Sequence, residues 1–175
     1  QRQMCIRDRI EQMLSDYLSI DKVIWLKEGI FNDETDGHVD NMCCFVGPAE
    51  VLLAWTDDKN DPQYERSRAA LEVLENSTDA KGRKFTVHKL PVPAPMLAKA
   101  DEYATVDLTG AAVPRESEAR LAGSYINFYL CNGGLVVPVF EDANDQVAID
   151  ILTKLFPKHQ AVSYTHLRAH ETPEH

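Results

Sequence analysis

The order of elements read along the chain predicts an α/β protein built from ββαβ units. Two observations carry this. From Met42 to Val92 the residues run strand, strand, helix, strand, and from Tyr125 onward the same order begins again. The paired strands of each unit flank a strong turn signal, Gly47-Pro48 in the first and Asn132-Gly133-Gly134 in the second.

Taken in order, Ile10, Met13, Leu14, Tyr17 and Leu18 recur at helical spacing, which predicts a helix over residues 10–18. Lys22 to Leu26 reads as a strand. Met42 to Val46 and Val51 to Trp55 are two further short strands. Asp57 to Asp61 is a polar loop, and Pro62 suits the first turn of a helix because its missing N–H is unpaired there anyway. Ala69, Ala70, Val73 and Leu74 give that helix an apolar face, and Phe85 to Val92 returns as a strand. Pro91, Pro93 and Pro95 stiffen the connector that follows. Met96 to Gly123 lacks periodicity and reads as an irregular surface excursion. In the second unit, Tyr125 to Leu130 and Leu135 to Phe140 are strands. Asp142 to Phe156 is a helix with Val147, Ile151, Leu152 and Leu155 on one face, and the next strand is expected near Gln160.

The chain has 175 residues, 44% hydrophobic and 26% charged, which is ordinary for one globular domain or a large piece of one. No apolar run is long enough to span a membrane. The formal net charge of −10 disfavours nucleic acid and anionic membranes as partners and is compatible with a cationic small substrate. Four cysteines, Cys5, Cys43, Cys44 and Cys131, show neither zinc spacing nor a secreted disulfide framework. Cys43, Cys44 and Cys131 read as reduced core thiols, which fits a cytoplasmic protein.

The most informative run is Gly29 to Asn41, Gly-Ile-Phe-Asn-Asp-Glu-Thr-Asp-Gly-His-Val-Asp-Asn. It lies between two apolar segments and holds Asp33, Glu34, Asp36, His38 and Asp40. If the backbone is extended, His38 and Asp40 point to the same face. An imidazole moves protons near neutral pH, and a carboxylate holds a cation, best of all a planar guanidinium. The spacing alone leaves three readings open: a solvated acidic loop, a hard-metal site, or a cation-binding catalytic site. The run does not follow the calcium-loop pattern of alternating ligands closed by a glutamate.

The motif Trp-Leu-x-x-Gly-Ile-x-x-Asp-Glu-Thr-x-Gly-His-Val-Asp-Asn, here Trp25 to Asn41, resembles the central motif of agmatine deiminases, members of the guanidine-modifying superfamily. Val51 to Pro62 and Ser124 to Pro138 resemble two further segments in the same order, so the resemblance runs from about Ile10 to Val162. It implies that the two units are part of a five-bladed α/β propeller of the pentein type. It also implies hydrolysis of the agmatine guanidinium to N-carbamoylputrescine and ammonia through a covalent cysteine intermediate, without metal or organic cofactor. His38 matches the general acid/base and Asp40 a guanidinium-binding carboxylate. Glu34 falls at a substrate-binding position. Asn127 and Gly133 lie in a matching motif without an assigned role.

The family's nucleophile sits in a Gly-Gly-Gly-Asn-x-His-Cys segment that does not occur in this sequence. Residues 1–9 and 163–175 do not resemble the family and look like translated sequencing-adaptor read-through. The expectation is therefore an interior fragment, residues 10–162, of a homo-oligomeric cytoplasmic enzyme, catalytically inactive by itself. His166, His170 and His175 imitate metal ligands but fall in the terminal scar. Alternatives are a peptidyl-arginine deiminase of the same superfamily, a non-catalytic polyamine- or cation-binding module, and a calcium-binding structural loop.

Overall fold

The computed structural model describes residues 6–33, 37–97 and 120–164. Within them lie two three-stranded sheets, each of order first-second-third strand and each carrying one crossover helix. In the first unit β1 (Cys43–Gly47) pairs antiparallel with β2 (Glu50–Trp55), which pairs parallel with β3 (Thr86–Pro91). Helix α2 (Pro62–Glu75) makes the crossover that a parallel pair requires. In the second unit β6 (Tyr129–Cys131) pairs antiparallel with β7 (Gly134–Pro138), and β7 pairs parallel with β8 (Gln160–Tyr164) after helix α3 (Asp145–Leu155). The mixed α/β class and the ββαβ repeat follow the sequence expectation.

The burial of the central strands explains their composition. Along β2, every residue from Val51 to Trp55 is buried, because a middle strand covered on both faces reads as a continuous apolar run. In β7, Leu135 and Val137 are fully buried and alternate with the half-buried Val136. One contiguous core joins the units: Leu52, Leu53 and Leu90 of the first and Tyr125, Leu135 and Leu152 of the second belong to a single cluster, and α3 lies against β3.

Several elements differ from the sequence expectation. Lys22 to Leu26 forms no strand, because no described strand lies beside it to complete a ladder. Helix α1 spans Ile6–Leu18, starting before residue 10, and exposes Ile6, Met13, Tyr17 and Leu18. Ile10 is at the edge of exposure, and Glu11 accepts the Trp25 indole N–H at 2.6 Å. Residues 125–128 are not strand either. Ser124 Oγ accepts the Ile126 N–H at 3.2 Å, a local bond that competes with a ladder and drops Tyr125 and Ile126 into the core. Helix α3 buries Ala148 and Leu152 and exposes Val147, so its inward face is turned by one residue from the one expected. The base of the 96–123 excursion is a two-residue ladder, β4 (Met96–Leu97) against β5 (Arg120–Leu121); the rest of that stretch lies outside the described residues. Cys131 is exposed at the end of β6 and is not a core residue, its thiol lying 3.4 Å from the Gly134 carbonyl.

One carboxylate pins the second unit. Asp145 accepts the Tyr125 hydroxyl at 2.7 Å and the backbone N–H groups of Phe140 and Asp142 at 3.1 Å each. Burial and the neighbouring Asp145 both push the Tyr125 phenol far above its usual range, so it stays a donor at all working pH values. Replacing Asp145 by alanine orphans that hydroxyl and two N–H groups. It is expected to lower stability by roughly 2–4 kcal/mol, read as a lower midpoint in urea unfolding; an unchanged midpoint would contradict this account.

Candidate functional site

The site is built outward from the first turns of α2. Asp61 is the N-cap: its side chain accepts the Gln63 N–H at 2.9 Å, and Pro62 opens the helix. Gln63 and Ser67 stand four residues apart, so they share the inward face with Ala70 and Leu74. Both polar side chains are fully buried, and both are satisfied. Gln63 Oε1 accepts the backbone N–H of Phe31 at 2.7 Å, and its amide nitrogen donates to Ser67 Oγ at 3.0 Å. Ser67 in turn donates to the Ala54 carbonyl of β2 at 2.8 Å. The relay ties the entry of the acidic loop to the central strand.

Arginines fasten the same entry. Arg66 donates to the carbonyls of Gly29 and Ile30 at 3.1 and 3.4 Å and pairs with Glu28 at 3.0 Å. Arg120, at the start of β5, forms a two-pronged bond with Asp61, at 2.6 and 3.0 Å, with both side chains largely buried. The Arg120 carbonyl accepts the Asn32 side-chain amide at 2.7 Å. The guanidinium carbons of Arg66 and Arg120 lie 5.4 and 5.5 Å from the centre of the Phe31 ring, within cation–π range. Sequence reasoning passed over Gln63, Ser67 and both arginines. The polar pair on an otherwise apolar helical stripe is a signal for Gln63 and Ser67. Arg120 sits in a stretch without periodicity and has none.

The loop closes on itself at a glycine neck. A Cβ on Gly29 would lie 2.5 Å from the Gly37 Cα, and Gly37 has φ +82°. Beyond the neck, the His38 N–H is donated to Asp33 Oδ2 at 2.8 Å. Residues Val39–Asn41 then form a single 3₁₀ turn with His38 as its N-cap, closed by the Met42 N–H on the Val39 carbonyl at 2.9 Å. This corrects one premise of the sequence reading. His38 and Asp40 are not neighbours on an extended strand; both project from the same tight turn, and both are exposed. Glu34 lies outside the described residues, as do His166, His170 and His175.

Ser124 Oγ donates to the Asn41 carbonyl at 2.7 Å, and Asn127 Nδ2 reaches Asn41 Oδ1 at 3.2 Å and Asp40 Oδ2 at 3.5 Å. The turn is thus held between the two units. Two shallow surface depressions, of 280 and 330 Å³, are lined by residues other than His38 and Asp40. Among the described residues no group of three or more His, Cys, Asp or Glu gathers as metal ligands. Cys43 and Cys44 are half-buried against the core. Burial raises the first thiol to about 11, and burial plus its neighbour raises the second to about 12, so neither is a nucleophile at neutral pH.

An α/β protein that presents a histidine and a carboxylate on a braced acidic loop is the class defined so far. Residues 2–169 match the model of the Porphyromonas-type peptidyl-arginine deiminase family, and the chain belongs to that family. It is 58% identical over 156 residues to an agmatine deiminase of Pseudomonas syringae pv. syringae, covering 89% of this chain, and 56% identical over the same length to one of Pseudomonas syringae pv. tomato. The chain spans 42% of the length of these curated relatives. A solved structure of the agmatine deiminase of Enterococcus faecalis superposes with a TM-score of 0.82 at 38% identity, over 93% of this chain and 44% of that one.

Two outcomes test the bracing. Gly29→Ala has no room for its methyl group and is expected to cost about 2 kcal/mol or more and to shift the amide resonances of residues 37–41; a wild-type spectrum would refute the neck. Asp61 supplies a pH test. Burial works to raise its carboxyl, but the Arg120 hydrogen bonds, the Gln63 N–H and the Arg120 charge outweigh it and hold the group below the usual carboxylate range. A folded-state value below the unfolded one, ~3.9, means stability that is fully present above that pH and is lost as pH falls through the folded value. Asp61→Asn should therefore destabilise the protein at pH 7 and narrow the gap to wild type below about pH 4, as followed by thermal melts.

Proposed function

We propose that this chain is part of an agmatine deiminase, a hydrolase that converts the guanidinium of agmatine to the ureido group of N-carbamoylputrescine and ammonia. One observation carries the reading: the 58% identity to a protein of that activity extends over a stretch long enough to include the whole acidic loop. The braced turn bearing His38 and Asp40 supports it, because guanidinium hydrolysis needs a proton carrier beside a cation-binding carboxylate. In this reading the two ββαβ units are blades of a five-bladed pentein propeller. The protein works in the cytoplasm as a homo-oligomer, in putrescine formation.

Each residue then has a task. Asp40 accepts N–H bonds from the guanidinium and fixes its carbon for attack, and such positioning supplies a large part of a rate enhancement. A thiolate forms a C–S bond at that carbon. His38 gives its proton to the departing nitrogen, so the C–N bond breaks and ammonia leaves. The neutral imidazole next takes a proton from water, whose oxygen attacks the carbon and releases the sulfur. Glu34 contributes a further carboxylate to substrate binding. The attacking thiolate is not assigned to a cysteine of this sequence: Cys43 and Cys44 are held protonated, and Cys131 does not match the family's nucleophile position. The second reading, deimination of arginine within peptides, is favoured by the name of the matching family model.

The test is a chimera in which residues 10–162 replace the matching segment of the Pseudomonas syringae enzyme. The chimera is expected to form N-carbamoylputrescine from agmatine and to leave peptidyl arginine untouched. His38→Ala should lower its kcat by about 10²–10⁴-fold, and Asp40→Asn should raise KM as well as lower kcat. Undiminished turnover by the His38→Ala chimera would sink the assignment.

A further inference from the structure

We infer that Asn32 is a positioning residue for His38: it turns the entry of the acidic loop so that the Asp33 carboxylate meets the His38 N–H. The role deepens the proposed function and rests on the reading of His38 as the proton carrier.

Asn32 holds a backbone conformation that few side chains accept. Its φ is +58°, in the left-handed region, where a Cβ crowds the following carbonyl oxygen. Asparagine enters that region more readily than most residues with a side chain. It occupies the third position of a turn that the Asp33 N–H closes on the Ile30 carbonyl at 3.4 Å. Positive φ at that position favours glycine or asparagine. Glycine would supply the turn alone. Asparagine adds an amide, whose Nδ2 donates to the Arg120 carbonyl at 2.7 Å, 88 residues away in sequence.

Both ends of that bond are fixed. Arg120 is clamped by its two-pronged bond to Asp61, the N-cap of α2. On the loop side, the Phe31 N–H is taken by the buried Gln63, and the Phe31 ring lies within cation–π range of both Arg66 and Arg120. The residue after Asn32 does the directing. Asp33 is half-buried, and its Oδ2 accepts the His38 N–H at 2.8 Å, a charge-assisted bond that joins the two flanks of the loop. His38 is the N-cap of the 3₁₀ turn and makes no side-chain cap bond of its own, so the Asp33 carboxylate is what seats its backbone. The imidazole is carried on that backbone. A proton carrier misplaced by about 1 Å loses about a hundredfold in rate, which gives the turn at Asn32 a catalytic consequence without any contact to substrate.

The 175-residue chain gives the geometric test. Exchange of the His38 amide proton with water, followed by NMR, is expected to speed up about tenfold in Asn32→Ala, which loses both the amide bond and the tolerance for positive φ. Asn32→Gly keeps the turn and loses only the bond, so its exchange should fall between that of wild type and that of Asn32→Ala. An unchanged His38 amide in Asn32→Ala would overturn the positioning role. So would a speeding-up shared evenly by residues 51–55, which marks general loosening. In the chimera with the Pseudomonas syringae enzyme, Asn32→Ala should lower kcat about tenfold, leave KM within about twofold, and add nothing in the His38→Ala background. Equal losses of kcat in both backgrounds would overturn the positioning role and leave His38 as the proton carrier. Full turnover by the His38→Ala chimera would overturn the proton carrier and the positioning role together.

Discussion

The buried side chain of Gln63 is the constraint on which the acidic loop depends. Its amide is removed from water, so each of its polar atoms needs a partner, and an unmet one costs about 1–3 kcal/mol. The structure meets that demand with the Phe31 N–H on one side and Ser67 on the other, and Ser67 passes the bond to a β2 carbonyl. The loop entry cannot drift without breaking a buried network. Leucine at these positions would remove this tether and leave the Phe31 N–H without its side-chain acceptor.

Around that anchor the protein spends its own cations. Arg66 and Arg120 are drawn onto Glu28 and Asp61 and onto the Phe31 ring, so they brace the loop from below while Asp40 faces solvent. The pairing matters for a chain of net charge −10. Repulsion among clustered carboxylates would otherwise splay the loop. The guanidinium groups of Arg66 and Arg120 satisfy Glu28 and Asp61, and Asp40 stays exposed.

The legible parts of the fold were those governed by local pattern. The ββαβ order, the turns at Gly47-Pro48 and Asn132-Gly133, and Pro62 at the head of α2 all follow from residue preferences over a few positions. What the pattern missed is tertiary. Lys22 to Leu26 has strand composition, but a strand is defined by a neighbour, which residue preferences do not reveal. Val147 and Ala148 are one residue apart on α3, and only the sheet beneath decides that the smaller one faces inward. The same limit applied to the site. His38 and Asp40 stood out by type and spacing, yet they lie on a 3₁₀ turn and its N-cap rather than on an extended strand. Arg120 reaches Asp61 and the Asn32 amide across long sequence separations that no local signal records.

The cysteines show why burial and chemistry separate in this fold. Cys43 and Cys44 lie on β1 immediately after the candidate site. Packing against the core is what disqualifies them. Burial raises the Cys43 thiol to about 11 and, with its neighbour, the Cys44 thiol to about 12, so both favour the protonated form at neutral pH. A thiolate that attacks a guanidinium needs the opposite surroundings, with solvent or a positive neighbour to favour the anion. The strand that follows the loop packs its half-buried sulfurs against the core, and the loop presents the exposed Asp40 carboxylate. The two demands cannot be met by the same side chains.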